Sequence, residues 1–272
     1  MTAAEALQEG EAQLARREAA WLVDHLLGTS PAQRLAHPQC LLSPSQVSQF
    51  RALVARRLAG EPLAYLLGHW EFWSLDLLVT PAVLIPRPET ELLVEQALAR
   101  IPRDAPWSLA DLGTGSGAIA LALAKERPRC LVTAVDNSPA ALAIAKANGV
   151  RLGLTNVIFL QGDWCAPLLR EYHLIVANPP YVAADDPHLT QEGLPWEPSA
   201  ALTPGMDGLA ALSAIAHQAR VRLRPLGWLL LEHGYDQGEA VHQCLTDLGY
   251  RGLVTYTDLE GRPRVTGGQI EN

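Results

Sequence analysis

The sequence predicts a parallel α/β sheet with helices on both faces, preceded by a small all-helical domain. From Ser108 onward, buried strand patterns alternate with amphipathic helix patterns, which is typical of such sheets. The first sixty residues contain helical periodicities only. Between the two parts, HWEFWSLDLLVT alternates in short stretches and predicts a β-hairpin. We therefore expect a helical domain over 1–68, a hairpin linker over 69–85 and the α/β domain over 86–272.

The helical segment carries clear start and stop signals. In REAAWLVDHLLG the apolar residues have helical spacing, and Gly28 suits the C-terminal cap. In LSPSQVSQFRALVARRLAG, Ser43 and Gln46 predict a capping box, Pro44 suits the first turn and Gly60 ends the helix. No residue here suggests catalysis, so a partner-binding surface and a structural cap both remain open.

The α/β segment begins with the Pro-rich stretch PAVLIPRPET and a helix over ELLVEQALAR. In SPAALAIAKANG we expect Ser138 to cap a helix and Gly149 to end it. Ligands of parallel sheets bind beyond the carboxyl ends of the strands. The remaining strands are predicted in SLADLG, CLVTAVD, VIFLQGD, HLIVAN, GWLLLEH, GLVTYT and RPRVT, and the remaining helices in GAIALALAKERP, GLAALSAIAHQARVRL and QGEAVHQCLTDLG.

Composition excludes several classes of function. The formal charge is −8 and only two of the 272 residues are lysine, which does not favour a phosphate-backbone partner. The four cysteines form no CxxC pair and the histidines show no ligand spacing, so no metal site is expected. No apolar run or leader predicts membrane insertion or export, and we expect a cytoplasmic protein.

The segment DLGTGSGA follows the first strand of the sheet and opens a helix. Gly113, Gly115 and Gly117 allow backbone to approach a ligand closely. The same segment also fits the dinucleotide fingerprint GxGxxA, and Asp136 ends the next strand, where a ribose-binding acid is expected. These residues predict a nucleoside cofactor without deciding which one.

The ends of the next two strands add chemistry to the same edge. Asp163 and Trp164 follow the third strand, where the acid could accept a base amine and the ring could stack on the base. The segment NPPY follows the fourth strand, and its two prolines stop regular structure directly after Asn178. The chain therefore fixes one amide, that of Asn178, rigidly at the end of a strand, with Tyr181 beside it.

These four strand ends together resemble the class I S-adenosylmethionine-dependent methyltransferases, and NPPY resembles those that methylate planar nitrogens. The resemblance implies that the Asn178 oxygen and the Pro179 carbonyl each accept one hydrogen of a planar NH2 group. The resemblance implies a Rossmann-like sheet of seven mostly parallel strands. It makes S-adenosyl-L-methionine the expected cofactor, with S-adenosyl-L-homocysteine as product. No arginine for a pyrophosphate is evident, which disfavours the dinucleotide alternative.

A closer resemblance covers the chain from about Gly60. GEPLAYLLGHWEFWSLDLLVTPAVLIPRPETELLVE, DLGTGSGAIALALA, NPPYVAADDPHL and LLLEHGYDQGEAV closely resemble the PrmC/HemK family, the peptide chain release factor glutamine methyltransferases. The resemblance implies methylation of the glutamine in the Gly-Gly-Gln loop of class 1 release factors. It assigns cofactor binding to Gly113, Thr114, Gly115, Ser116, Gly117, Asp136, Asp163, Trp164 and Asn178, catalysis to Asn178, Pro179 and Tyr181, and substrate binding to Asn178, Pro179, Pro180, Tyr181, Arg87 and Glu89.

Two other substrates remain open at this point. One is a glutamine of a ribosomal protein, and the other is the adenine amino group of DNA or RNA. The second would require base flipping and a basic groove, which the acidic composition disfavours. We therefore expect a release factor as partner, with no membrane and no direct nucleic-acid substrate. The chain also contains Gly267, Gly268 and Gln269, the tripeptide of the expected substrate, and we interpret this match as fortuitous.

Overall fold

The computed structural model describes residues 1–190, 193–203 and 208–271. By contacts the chain divides into two compact units, Met1–His69 and Trp70–Asn272. The first unit is helical, as predicted. Its helices are α1 (Ala3–Glu11), α2 (Arg16–Leu27), α3 (Pro31–Ala36), α4 (Pro44–Leu58) and α5 (Leu63–Leu67).

The predicted helix signals of the first unit are confirmed. The Ser43 Oγ accepts the Gln46 N–H at 3.2 Å, and the Gln46 Oε1 accepts the Ser43 N–H at 2.9 Å, which completes the capping box. Gly28 ends α2 at φ 64°. Leu22 and Phe50, which are both fully buried, belong to the core on which these helices pack.

The predicted hairpin forms from β1 (His69–Phe72) and β2 (Leu75–Leu78). Its two turn residues, Trp73 and Ser74, have φ of 51° and 54°. Two consecutive positive φ values match the tight turns whose twist suits a hairpin.

A seven-stranded sheet forms the centre of the second unit in the described part of the chain, in the order β5-β4-β3-β6-β7-β9-β8. All neighbours are parallel except β9, which runs antiparallel to β7 and β8. The predicted mostly parallel sheet is therefore confirmed. Its strands are β3 (Ser108–Leu112), β4 (Leu131–Asp136), β5 (Val157–Gln161), β6 (Tyr172–Ala177), β7 (Leu223–Glu232), β8 (Arg251–Thr257) and β9 (Pro263–Gln269).

Helices cover both faces of this sheet. Along β7, Leu229 and Leu231 belong to one buried cluster and Leu230 belongs to another, so neither face is open to solvent. No helix in the described residues is both long and apolar enough to cross a membrane. The helices are α6 (Glu91–Arg100), α7 (Ala118–Glu126), α8 (Pro139–Arg151), α9 (Ser199–Leu202), α10 (Ala210–Ala219) and α11 (Gly238–Asp247), with 3₁₀ turns at Pro88–Thr90, Pro187–Thr190 and Leu194–Trp196.

Two predicted helix ends are wrong. The helix predicted in GLAALSAIAHQARVRL ends at Ala219, and Leu223 already belongs to β7. Gly149 does not end α8, which continues to Arg151, and Gly153 takes the left-handed conformation at φ 67° instead. Gly149 is buried inside the helix, where an added Cβ would lie 3.2 Å from Phe159 Cζ. This glycine therefore allows α8 to approach β5 and does not terminate the helix.

The point at which the strand order reverses, where parallel sheets form a ligand crevice, lies at β3. Its neighbours are β4 on one side and β6 on the other, so the strand order changes direction there. The carboxyl ends of β3, β4 and β6 lie at the same edge, at Leu112, Asp136 and Ala177. The predicted site residues Gly113, Asp136 and Asn178 lie at these three ends.

Candidate active site

The loop after β3 is supported from inside by a buried acid. The Asp111 Oδ2 accepts the Thr114 hydroxyl at 2.6 Å and the Ala120 N–H at 3.1 Å. Burial raises the pKa of Asp111 to about 7. Because Thr114 is buried and bonded to Asp111, its side chain supports the loop from the protein side.

The three loop glycines all take left-handed backbone, at φ 73°, 55° and 86° for Gly113, Gly115 and Gly117. This conformation strains any other residue. Gly113 and Gly115 line a cavity, whereas Gly117 caps α7 and packs on Leu121, where an added Cβ would lie 2.9 Å from Cδ1. Ser116 is buried, and its carbonyl accepts a hydrogen bond from Asn148.

Asp136, the last residue of β4, binds the loop that follows β3. Its Oδ2 accepts the Gly115 N–H at 2.8 Å and its Oδ1 accepts the Ser138 N–H at 2.9 Å. Burial raises the pKa of this carboxyl, and both amide bonds oppose the rise. Each carboxylate oxygen has a further lone pair, so Asp136 can still accept hydrogen bonds from a ligand.

Trp164 lines the same cavity as Gly113 and Gly115. Its φ of 45° is left-handed, which is unfavourable for a bulky residue and is often found at binding sites. A Cβ on Gly113 would lie 3.4 Å from its Cζ3, which is an ordinary van der Waals contact, so the indole lies directly beside this glycine. Asp163 beside it is exposed and also lines the cavity.

The first cavity has a volume of about 190 Å³ and brings together residues from all four strand ends. None of the described residues that line it is Arg, Lys or His. Thr114, Ser116 and Gly117 do not line it. The predicted residues that do are Gly113, Gly115, Asp136, Asp163, Trp164 and Asn178.

The NPPY loop after β6 is held by distant parts of the chain. The Asn178 Nδ2 donates to the Thr90 Oγ1 at 3.0 Å, and the Thr90 hydroxyl donates to the Glu232 Oε1 at 3.2 Å. The Gln237 Nε2 donates to the Tyr181 carbonyl at 3.0 Å. A Cβ on Gly208 would lie 2.5 Å from that carbonyl oxygen, so only glycine fits there.

A second cavity of about 160 Å³ adjoins the first. It is lined by all four residues of NPPY, by Arg87 and by aliphatic side chains that include Leu189, Leu194 and Leu202. Burial raises the pKa of Tyr181 well above its usual range. The two cavities share four lining residues: Leu84, Asn178, Pro180 and Ala201.

The structure places Arg87 and Glu89 differently. Arg87 lines the second cavity and forms an ion pair with Glu197, whose other oxygen accepts the Ile85 N–H at 3.0 Å. Glu89 is exposed and lines a separate acidic groove with Trp73. It does not line either of the two adjoining cavities.

Sequence reasoning missed several polar residues that hold this edge together. Thr90 lies within IPRPET, and Glu232 lies near the end of the strand predicted in GWLLLEH, so position at a strand end could have indicated Glu232. Asn148 lies inside α8 and bonds to both Ser116 O and Leu78 O, at 2.9 and 3.1 Å. Neither Asn148 nor Glu197 gives a local signal, because their partners are remote in the chain.

Comparison with known proteins gives consistent results along the chain. Residues 1–68 match the PrmC N-terminal domain family, and residues 88–194 match the methyltransferase small domain family. A methyltransferase structure from Pyrococcus furiosus has a TM-score of 0.55 at 18% identity, covering 80% of this chain and 97% of that one. At this identity the likeness supports the methyltransferase fold alone.

Curated relatives cover almost the whole chain. The release factor glutamine methyltransferase of Xylella fastidiosa (strain Temecula1) is 50% identical over 258 residues, which is 94% of each protein. That of Escherichia coli (strain K12) is 47% identical over 255 residues, covering 93% of this chain and 92% of the relative. At this identity and coverage, the chain belongs to the release factor glutamine methyltransferase family.

Proposed function

We propose that this protein transfers a methyl group from S-adenosyl-L-methionine to the side-chain amide nitrogen of the glutamine in the Gly-Gly-Gln motif of class 1 peptide chain release factors. The observation that carries the proposal is the pair of adjoining cavities whose common wall contains Asn178 and Pro180. One cavity suits a nucleoside cofactor and the other a small uncharged side chain. The names of the curated relatives support this substrate.

The first cavity fits S-adenosylmethionine, which supplies an electrophilic methyl group on a cationic sulfur. Gly113 and Gly115 present backbone to the ligand, and Asp136 accepts hydrogen bonds from ribose hydroxyls. Asp163 and Trp164 are placed to take the adenine by hydrogen bonding and by ring contact. A phosphate-bearing dinucleotide would require positive side chains, and the described lining has none.

The second cavity fits the glutamine side chain. Its aliphatic walls exclude water, and the Asn178 Oδ1 and Pro179 carbonyl accept the two hydrogens of the substrate NH2 group. Holding that nitrogen in line with the methyl group can supply several kcal/mol of the barrier, up to about 7–11 kcal/mol in ideal cases. Tyr181 stays protonated at neutral pH because its pKa is raised, so it does not serve as a base there. Its ring restricts the substrate amide instead.

Arg87 is proposed to shape the substrate cavity through its ion pair with Glu197. Glu89 is proposed to act on the approaching partner and not on the glutamine, because it is exposed outside the cavity. A release factor works in translation termination, so we infer that the protein acts in the cytoplasm without a direct nucleic-acid substrate.

The helical unit is proposed to contact the release factor. Leu35 and Leu41 in this unit are 70% and 71% exposed, so both side chains are available to a protein partner. Leu35→Asp should raise the KM for release factor with little change in cofactor affinity, and deleting residues 1–68 should raise it further. If the truncated enzyme methylates release factor with an unchanged KM, the unit is only a structural cap.

Methyl-labelled cofactor tests the whole proposal. The protein is incubated separately with a class 1 release factor, with ribosomes and with DNA, and the label is located by mass spectrometry. We expect label on the Gly-Gly-Gln glutamine, and no label when that glutamine is replaced by alanine. Label on a ribosomal protein or on adenine would contradict the proposed substrate.

A further inference from the structure

Three segments that are distant in sequence meet behind Asn178. The Thr90 side chain comes from the 3₁₀ turn before α6, Glu232 ends β7, and Asn178 follows β6. Thr90 is 4% exposed and Glu232 is 1% exposed, so water does not replace their contacts. Two successive hydrogen bonds form a line of donors and acceptors. The Asn178 Nδ2 donates to the Thr90 Oγ1 at 3.0 Å, and the Thr90 hydroxyl donates to the Glu232 Oε1 at 3.2 Å.

The direction of this line is fixed by which groups can donate. An ionised carboxylate only accepts hydrogen bonds, so the single hydroxyl hydrogen of Thr90 is directed to Glu232. The Thr90 oxygen can then only accept from Asn178, which requires the NH2 side of that amide. The Asn178 oxygen is consequently left for the substrate.

We propose that Thr90 and Glu232 are positioning residues that fix the orientation of the Asn178 amide, so that its oxygen and not its nitrogen faces the substrate NH2 group. The inference rests on the proposed function. With the amide reversed, two NH2 groups would face each other, and neither could accept a hydrogen bond from the other. Thr90 and Glu232 thereby determine whether Asn178 can hold the reacting nitrogen.

The same geometry makes the arrangement sensitive to the protonation of Glu232. Burial raises the pKa of Glu232 to about 7, with the Thr90 hydrogen bond, Arg264 and the Tyr181 hydroxyl opposing the rise and Glu89 adding to it. A protonated Glu232 can donate to Thr90, which frees the threonine hydrogen to bond the Asn178 oxygen. The methyl-transfer rate should therefore rise as the pH increases through about 7.

Threonine variants test the inference in the full-length enzyme. Thr90→Val keeps the shape but removes the hydroxyl, and it should lower the single-turnover rate about 10- to 100-fold, with cofactor affinity and the KM for release factor nearly unchanged. Thr90→Ser keeps the hydroxyl and should restore most of the rate. Thr133→Val is the matched control, because it also removes a buried hydroxyl. Thr133 lies on β4, where its Oγ1 accepts the Tyr172 hydroxyl at 3.1 Å, and it lines neither cavity.

The pH profile gives a second readout that a merely structural role would not change. The wild type should show a step in single-turnover rate near pH 7, and Glu232→Gln should lack it. A wild-type rate for Thr90→Val, or an unchanged step in Glu232→Gln, would overturn the inference. If Thr90→Val does not fold, the comparison of the wild-type and Glu232→Gln pH profiles decides. If the wild type fails to label release factor at all, the proposed function itself is wrong.

Discussion

The loop after β3 lines the first cavity and the loop after β6 lines both, but the two loops are held in different ways. The β3 loop is fixed by near neighbours: Asp111 bonds Thr114 three residues away and Ala120 nine residues away. In the NPPY loop, Asn178 bonds Thr90, which is 88 residues away, and Thr90 bonds Glu232, which is 142 residues away. The β3 loop is thus held from within residues 111–148, where Asn148 bonds the Ser116 carbonyl, whereas the NPPY loop reaches its supports only once the whole domain has folded.

This difference predicts which property, cofactor affinity or turnover, a substitution in each loop should change. A substitution in the β3 loop should act mainly on cofactor affinity, because this loop lines the first cavity alone and its supports lie within residues 111–148. A substitution in the NPPY loop or its distant supports should act on turnover. Each of the following variants tests one side of that contrast.

The largest effect is expected for Asn178→Ala. It removes the oxygen proposed to hold the substrate nitrogen, and loss of one such group typically lowers kcat about 100- to 1000-fold. Asn178→Asp should retain more activity, because a carboxylate still accepts hydrogen bonds, and Tyr181→Ala should cost less than Asn178→Ala. Single-turnover rates with saturating cofactor check this order. A wild-type rate for Asn178→Ala would mean that NPPY only terminates the strand.

Asp136→Ala should affect affinity and not turnover. A lost charge-assisted hydrogen bond costs about 1.5–3 kcal/mol, which weakens S-adenosylmethionine binding about 10- to 100-fold. Calorimetry measures the change, and thermal unfolding of the same variant controls for loss of the bonds to Gly115 and Ser138. Unchanged cofactor affinity, or tight binding of NAD by the wild type, would contradict the assignment of this cavity.

Each loop is underlain by one buried acid, and this gives a pH test of stability. Burial raises the pKa of Asp111 and Glu232 to about 7 from ordinary values of 3.8 and 4.5. Between these limits the folded state binds more protons than the unfolded state, so the free energy of unfolding should fall as pH rises from about 4 to about 7. At about 1.36 kcal/mol per pKa unit, each acid contributes on the order of 3–4 kcal/mol to that fall.

Denaturant unfolding at several pH values measures this slope. Asp111→Asn and Glu232→Gln should each flatten it, and the double variant should flatten it most. A slope that neither variant changes would show that neither buried acid titrates in this range.

The smallest effect is expected for Gln269→Ala. Gly267, Gly268 and Gln269 lie in β9, and a Cβ on Gly267 would lie 2.3 Å from the Leu230 Cδ2, so packing explains this glycine. The Gln269 Nε2 donates to the Leu226 carbonyl at 3.0 Å. Turnover should not change, and stability should fall by about 1 kcal/mol at most. Detection of a methyl group on Gln269 by mass spectrometry would contradict the view that this tripeptide is fortuitous.

The contrast between the loops also explains what the sequence could predict. Strand ends, glycines and prolines leave signals in the local sequence. The sheet, the hairpin, the cavity-lining residues of the β3 loop and the end of β6 before NPPY could therefore be predicted. Gly149 was misread because a packing glycine and a terminating glycine look alike in sequence. Asn148, Glu197 and Thr90 were missed because each acts on a partner in a remote segment, and such pairs leave no periodicity or spacing.

The common wall of the two cavities has a thermodynamic consequence. Leu84, Asn178, Pro180 and Ala201 line both cavities, so an occupant on one side restricts the surface offered to the other. Linked equilibria are reciprocal: whatever factor the cofactor applies to the affinity for the release factor, the release factor applies to the affinity for the cofactor. Substitutions at these four residues should therefore change the coupling free energy between the two ligands. Measuring either affinity with and without the other ligand gives its value.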